Sequence, residues 1–150
     1  VTRRGNYLVR FGTPLADVIA QAGGIPEDTG KIIAGGPMMG RAMSNVNMPA
    51  HKRTSGILIM TEAESVRREP VNCMRCGKCV EACPMGLEPF LLVRQAEMRL
   101  WDDMEQNAIM DCIECGCCLY SCPSNRPLLD YVRMGKATVG GIIRTRATQK

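Results

Sequence analysis

The sequence predicts an α+β chain of two small domains, a mixed unit over residues 1–66 and an all-helical unit over residues 67–150. Three observations predict it. All nine cysteines lie between positions 73 and 122, so the first part must be held by ordinary packing. That first part carries short β-branched and aromatic runs separated by glycine. The second carries apolar residues three and four apart, the spacing of a helix face rather than of a strand.

Taken in order, residues 6–11 have strand character and stop at Gly12. Thr13 and Pro14 read as an N-cap and first helical position, with Leu15, Val18, Ile19 and Ala22 on one face and Gly23-Gly24 as the stop. Residues 31–34 and 56–61 read as further strands. The run Gly35-Gly-Pro-Met-Met-Gly40 lacks the Lys-Ser/Thr of a phosphate loop and reads as a glycine turn; a surface for close approach of a partner or ligand is the second reading. His51 sits in a polar stretch and reads as a solvated loop residue. Residues 62–72 are charged, contain Pro70 and read as a linker.

Beyond the linker, Pro89 suits a first helical turn. Phe90, Val93, Glu97 and Leu100 follow at helical spacing, with Leu87, Leu91 and Met98 as a second seam. Asp102 reads as the N-cap of a short helix through Ile109. Ser124 reads as the N-cap of a last helix over 127–134, loosened after Gly140-Gly141.

The chemistry lies in one repeated run. Cys73, Cys76, Cys79 and Cys83-Pro84 return 39 positions later as Cys112, Cys115, Cys118 and Cys122-Pro123. Both copies read C-x2-C-x2-C-x3-C-P, the run that binds [4Fe–4S] clusters in two-cluster ferredoxins. Three cysteines at intervals of three wrap a tight turn, so their thiolates converge on three corners of one cube. The fourth points away and ligates the other cluster. The predicted sets are therefore Cys73, Cys76, Cys79 and Cys122 on one cluster, and Cys112, Cys115, Cys118 and Cys83 on the second. Each proline ends the short helix that carries the fourth ligand. A four-cysteine zinc site is the alternative, and a disulfide framework a weaker one. Cys117 remains, and it reads as a small buried apolar residue beside the second cluster; an alternative or redox-active thiol is the sharper reading. The 28 residues between the runs are helical by periodicity, which favours an all-α two-cluster domain over a compact β-sheet ferredoxin.

Composition narrows the function. Aromatics are only 4%, while 11 Met and 9 Cys supply soft packing, and two clusters would cross-link the second domain. The formal charge of +4 falls to about 0 with two oxidised clusters and about −2 with two reduced ones. Arg75, Lys78, Arg94 and Arg126 then read as compensation for buried anions rather than a nucleic-acid surface. No apolar run approaches the ~20 residues that span a bilayer, and no N-terminal signal pattern is present. The chain opens at Val1 within a predicted strand, so it reads as part of a longer protein. No Ser/His/Asp or Cys/His set is visible, and no catalytic residue is assigned.

With these residues in hand, the two cysteine runs with their helical connector resemble the RnfC family, a component of the bacterial Rnf (Rsx) electron-transport complex. The upstream Arg4-Gly-Asn-Tyr-Leu-Val-Arg-Phe-Gly-Thr-Pro-Leu15, Ala22-Gly-Gly24 and Gly35–Gly40 segments are similar to that family's SLBB domain, a β-grasp module. The resemblance covers essentially the whole chain. It implies an electron relay in a complex at the cytoplasmic face of the inner membrane, which couples electron exchange between ferredoxin and NAD to Na⁺ or H⁺ translocation. It also implies other Rnf subunits as partners, and FMN and NAD(H) bound by an upstream domain that this chain lacks. No flavin or nicotinamide residue carries over, whereas the eight cysteines do. The other functions to separate are a ferredoxin-like subunit of a complex-I-like hydrogenase or a heterodisulfide-reductase type of protein, and a structural zinc protein. The last would use the basic tail of Arg126, Arg133, Lys136, Arg144, Arg146 and Lys150 on a partner or nucleic acid. The plainer view of that tail is a solvated helix face with a frayed terminus.

Overall fold

The computed structural model describes residues 1–149, which divide into two compact units at Arg67/Arg68. In the first unit, helix α1 (Leu15–Gln21) is followed by strands β1 (Thr29–Ala34), β2 (Arg41–Ala42) and β3 (Ile57–Thr61) and by a helical turn α2 (Glu62–Ser65). The strands form one antiparallel sheet in the order β2-β1-β3. Leu15 and Ile19 of α1, together with Ala22, Ile33 and Ala50, are buried.

The ends of α1 show how local chemistry sets its length. Its N-cap is Pro14, not Thr13, and no side chain caps it. The loop over 46–50 supplies acceptors instead: Leu15 N–H donates to the Met48 carbonyl and Ala16 N–H to the Val46 carbonyl, both at 2.9 Å. The orphan donors of a first turn need partners, and backbone carbonyls serve as well as a hydroxyl. At the other end Gly24 N–H reaches the Ile19 carbonyl and Gly23 N–H the Ala20 carbonyl, with both glycines at positive φ. That is the Schellman closure expected of a Gly-Gly stop.

Residues 6–11 are not a strand. Among the described residues no ladder partner lies beside them, and Leu8 and Phe11 are exposed. Extended sequence character without a neighbouring strand leaves a tethered segment, here held by Arg3 N–H on the Ala22 carbonyl and Gly12 N–H on the Ala50 carbonyl. The glycine run at 35–40 closes the β1–β2 hairpin. A Cβ on Gly40 would lie 2.4 Å from the Gly36 carbonyl oxygen and 2.4 Å from Ile33, so close backbone approach explains that glycine. The predicted linker at 62–72 begins with α2, held by a capping box between Thr61 and Glu64.

The second unit contains α3 (Lys78–Glu81), α4 (Pro89–Glu97), α5 (Trp101–Gln106), a 3₁₀ turn (Ile109–Asp111), α6 (Cys117–Tyr120) and α7 (Leu128–Thr148). Pro89 opens α4 as the sequence predicts. The buried face differs, however. Leu92, Val93 and Ala96 face the core, while Phe90, Glu97, Met98 and Leu100 are exposed. Arg99 at φ 58° ends the helix, so Leu100 leaves the periodic stripe. Met104, Ile109, Leu128, Val132 and Val139 complete this core, each almost wholly removed from water. Burial of this kind contributes ~1.5–3 kcal/mol per large side chain.

Two caps fall elsewhere than the sequence predicts. Asp102 is the second residue of α5, whose N-cap is Leu100. The last helix is capped at Pro127, and it runs to Thr148 through Gly140-Gly141 instead of loosening there. Packing explains that length, because Gly135, Val139 and Gly140 are buried along one face of α7.

Candidate metal centre

Each cysteine run folds in the same way, and the repeat extends to single dihedral angles. Arg75, Gly77 and Gly86 have φ of 56°, 77° and 65°. Their counterparts 39 residues on, Glu114, Gly116 and Asn125, have 56°, 82° and 49°. Left-handed Arg75 and Glu114 each cost about 1 kcal/mol, yet that geometry turns the chain back between the first and second cysteine of each run. Gly77 and Gly116 then start the single-turn helices α3 and α6, which carry Cys79 and Cys118. Pro84 and Pro123 follow the fourth cysteines, and α4 and α7 begin at corresponding positions.

The fourth cysteine of each run lies near the other run. Cys83 lies with Cys112, Cys115 and Cys118 around one pocket, walled by Leu87, Leu92, Leu129 and Val132. Cys79 lies close enough to Cys122 and Cys73 to feel their charge. Cys76 is exposed on the same loop, as is Cys73, and the other six are half-buried. Among the described residues no three His, Cys, Asp or Glu side chains close around a single ion.

Backbone N–H groups already point at the sulfurs. Glu114 N–H donates to Cys112 Sγ and Leu87 N–H to Cys83 Sγ, both at 3.4 Å. A backbone hydrogen bond from Phe90, in the first turn of α4, reaches Cys79. Such donors favour the thiolate, whereas burial opposes it. Burial pushes the Cys79 and Cys112 thiols up and takes Cys118 to about 11. A bound iron core would hold these sulfurs as thiolates, offsetting the effect of burial. Four thiol donors with converging N–H groups and an apolar wall fit a [4Fe–4S] cluster, whose potential is set by hydrogen bonds to sulfur and by exclusion of water.

Cys117 is half-buried at the start of α6, like those six, and its thiol is pushed up first by a hydrogen bond with Cys115. Sequence reasoning missed the role of Ser124. Rather than capping a helix, it is buried, donates from Oγ to the Asn72 carbonyl at 3.1 Å, and accepts Val71 N–H on its own carbonyl. It thus pins the segment just before Cys73 to the end of the second run. Its place directly after Cys122-Pro123 is the only sequence signal it carries.

The basic tail is a regular helix with intramolecular partners rather than a frayed end. Arg146 pairs with Asp102 and Glu105 at 2.8 Å each, Arg133 with Glu114 at 3.1 Å, and Arg126 with Glu97 at 2.5 Å. Lys150 lies outside the described residues. His51 is exposed in a turn, where its Nδ1 accepts from Arg53 N–H. No helix of the described residues is long and apolar enough to cross a membrane.

Comparison with known proteins converges on the same residues. Positions 1–42 match the SLBB domain family, and positions 65–123 match the 4Fe-4S dicluster domain family, whose description specifies two [4Fe–4S] clusters. The chain is 45% identical over 131 residues to the C subunit of the Na(+)-translocating ferredoxin:NAD(+) oxidoreductase complex of Acetobacterium woodii, covering 87% of this chain and 30% of that protein. It is 46% identical over 133 residues to the C subunit of the proton-translocating ferredoxin:NAD(+) oxidoreductase complex of Clostridium ljungdahlii, covering 88% and 29%. With the C subunit of the ion-translocating oxidoreductase complex of Yersinia enterocolitica it shares 41% over 140 residues, 93% and 20% of the two chains. The chain thus spans less than a third of the length of these relatives. With an SLBB domain, a 4Fe-4S dicluster domain after it and relatives at this identity, the chain belongs, over the segment it spans, to the RnfC family of Rnf complex subunits.

Proposed function

We propose that the chain is the iron–sulfur relay segment of an Rnf-type complex, passing single electrons between a flavin and NAD(H) site elsewhere in the protein and centres on partner subunits. The observation that carries this reading is the exchange of fourth cysteines, which brings Cys83 to the Cys112 run and Cys122 to the Cys73 run. The ligand sets are then Cys73, Cys76, Cys79 and Cys122 for the first cluster and Cys112, Cys115, Cys118 and Cys83 for the second. Bound clusters supply reversible one-electron chemistry. The chain's own residues hold the two sites close through shared loops, exclude water with Leu87, Leu92, Leu129 and Val132, and aim N–H groups at the sulfurs. The first unit, residues 1–66, serves as an SLBB module that docks and orients the relay. Partners are the other subunits of the complex, at the cytoplasmic face of the membrane, with ferredoxin and NAD(H) as reactants of the whole assembly.

The test is direct. Anaerobically purified protein should be brown, with about eight iron per chain and a broad band near ~400 nm bleached by dithionite. Cys122→Ser should damage the cluster held by Cys73, Cys76 and Cys79 and spare the other. Colourless protein with two zinc ions would overturn the relay, and loss confined to the Cys112 cluster would overturn the exchange of ligands.

A further inference from the structure

Because the two cysteine loops share a backbone, their differences stand out in side chains at positions 39 apart. Arg75 corresponds to Glu114, Arg94 to Arg133, and Glu97 to Lys136. In the second half these residues act together. Arg133 Nε donates to Glu114 Oε2 at 3.1 Å, which holds the left-handed residue between Cys112 and Cys115. One turn further along α7, the half-buried Lys136 donates its ammonium to the Cys112 carbonyl. In the first half, Glu97 occupies the position of Lys136 and turns instead to Arg126 at 2.5 Å, while Cys73 and Cys76 are exposed.

We propose that Lys136 is a positioning residue for the second centre, holding the Cys112 loop in place and setting a positive charge beside it that raises that centre's reduction potential and slows loss of its iron. The inference rests on the reading that Cys83, Cys112, Cys115 and Cys118 hold a [4Fe–4S] cluster. Adding an electron makes the cluster more negative, and a cation that is partly shielded from water stabilises the reduced form more than an exposed one does. The hydrogen bond to the Cys112 carbonyl also fixes the loop that carries the ligand, which slows the loop opening that releases iron.

The experiment uses the protein with both clusters bound, prepared without oxygen and titrated with redox mediators while electron paramagnetic resonance follows each cluster. Cys76→Ser and Cys115→Ser assign the two signals. Lys136→Met should move only the second cluster's midpoint, to a more negative value. It should also speed transfer of that cluster's iron to a chelator about tenfold, the equivalent of one lost charge-assisted hydrogen bond. Lys136→Arg should restore the midpoint, which a purely structural role would not require. Thermal unfolding followed by circular dichroism checks that Lys136→Met folds, and Lys136→Gln serves as the second variant. Unchanged midpoint and iron release in the second cluster, or equal shifts in both clusters, would overturn the role of Lys136. Protein without iron–sulfur absorption would instead overturn the cluster reading on which it stands.

Discussion

Two glycines of α7 should respond to alanine with opposite signs. Gly135 faces Met104, and an added Cβ would lie 2.3 Å from its Cε and 2.8 Å from its Sδ. Met104 is fully buried, so its end cannot swing into solvent. The clash must be relieved by moving packed core, at ~1–3 kcal/mol. Replacing a helix-interior glycine by alanine returns about 1 kcal/mol. Gly135→Ala should therefore destabilise by up to roughly 2 kcal/mol. At Gly141 nothing lies within 4 Å of the added carbon, so Gly141→Ala keeps the helix gain without the clash. For a domain of this size 1 kcal/mol moves the melting temperature by roughly 4–8 °C. Anaerobic thermal unfolding at one scan rate should place Gly141→Ala several degrees above the parent and Gly135→Ala several degrees below it. Shortening the opposing side chain should relieve the second effect, so Gly135→Ala combined with Met104→Ala should cost less than the two changes separately. Shifts of the same sign at both glycines would refute the close approach of α7 to Met104.

Other positions give sharper local tests. Ser124→Ala removes the hydrogen bond to the Asn72 carbonyl, at about 1 kcal/mol; chelator should then strip iron faster from the Cys73 site, measured by release kinetics, and leave the second site unchanged. Gly40→Ala forces a Cβ against the Gly36 carbonyl, so the β1–β2 hairpin should open, read as loss of amide-exchange protection at Met43, whose N–H donates to the Ile32 carbonyl. In the capping box, the Thr61 N–H and hydroxyl hold the Glu64 carboxyl below its usual range. A depressed folded pKa means that this contribution is full above the unfolded value and fades as pH falls through the folded one. An acid titration by nuclear magnetic resonance should show the Glu64 carboxyl titrating below an ordinary glutamate, and Glu64→Gln should remove the matching pH dependence of amide protection in α2.

How far the sequence leads depends on whether the signal is local. The cysteine spacing and the Gly23-Gly24 stop depend on a few adjacent residues, and both appear in the structure as written in the chain. Residues 6–11 read as a strand because Tyr7, Val9 and Phe11 have β character, but a strand also needs a partner, and that is not a local property. The buried face of α4 is misphased for a related reason: Phe90 and Leu100 are as apolar as Leu92, and only the αL turn at Arg99 and the packing of α7 decide which face is covered. A cap at Ser124 is chemically sound, since a serine before Pro127 is a good N-cap. It is overridden because the Asn72 carbonyl, 52 residues away, offers an acceptor to the buried Ser124 hydroxyl.

The 39-residue repeat reaches well beyond the cysteines themselves. Equal spacing of eight cysteines could arise from metal demand alone, but recurrence of left-handed residues at 75 and 114, 77 and 116, and 86 and 125 requires the whole loop to be copied. The copies part company after the first turns of α4 and α7. Positions 97 and 136 both lie on these helices, but Glu97 turns to Arg126, whereas Lys136 donates to the Cys112 carbonyl and Arg133 holds Glu114. Two sites built from one backbone plan thus acquire different surroundings through the side chains at equivalent helical positions. If both sites hold clusters, the unequal charge beside them would give an electron a preferred place to rest.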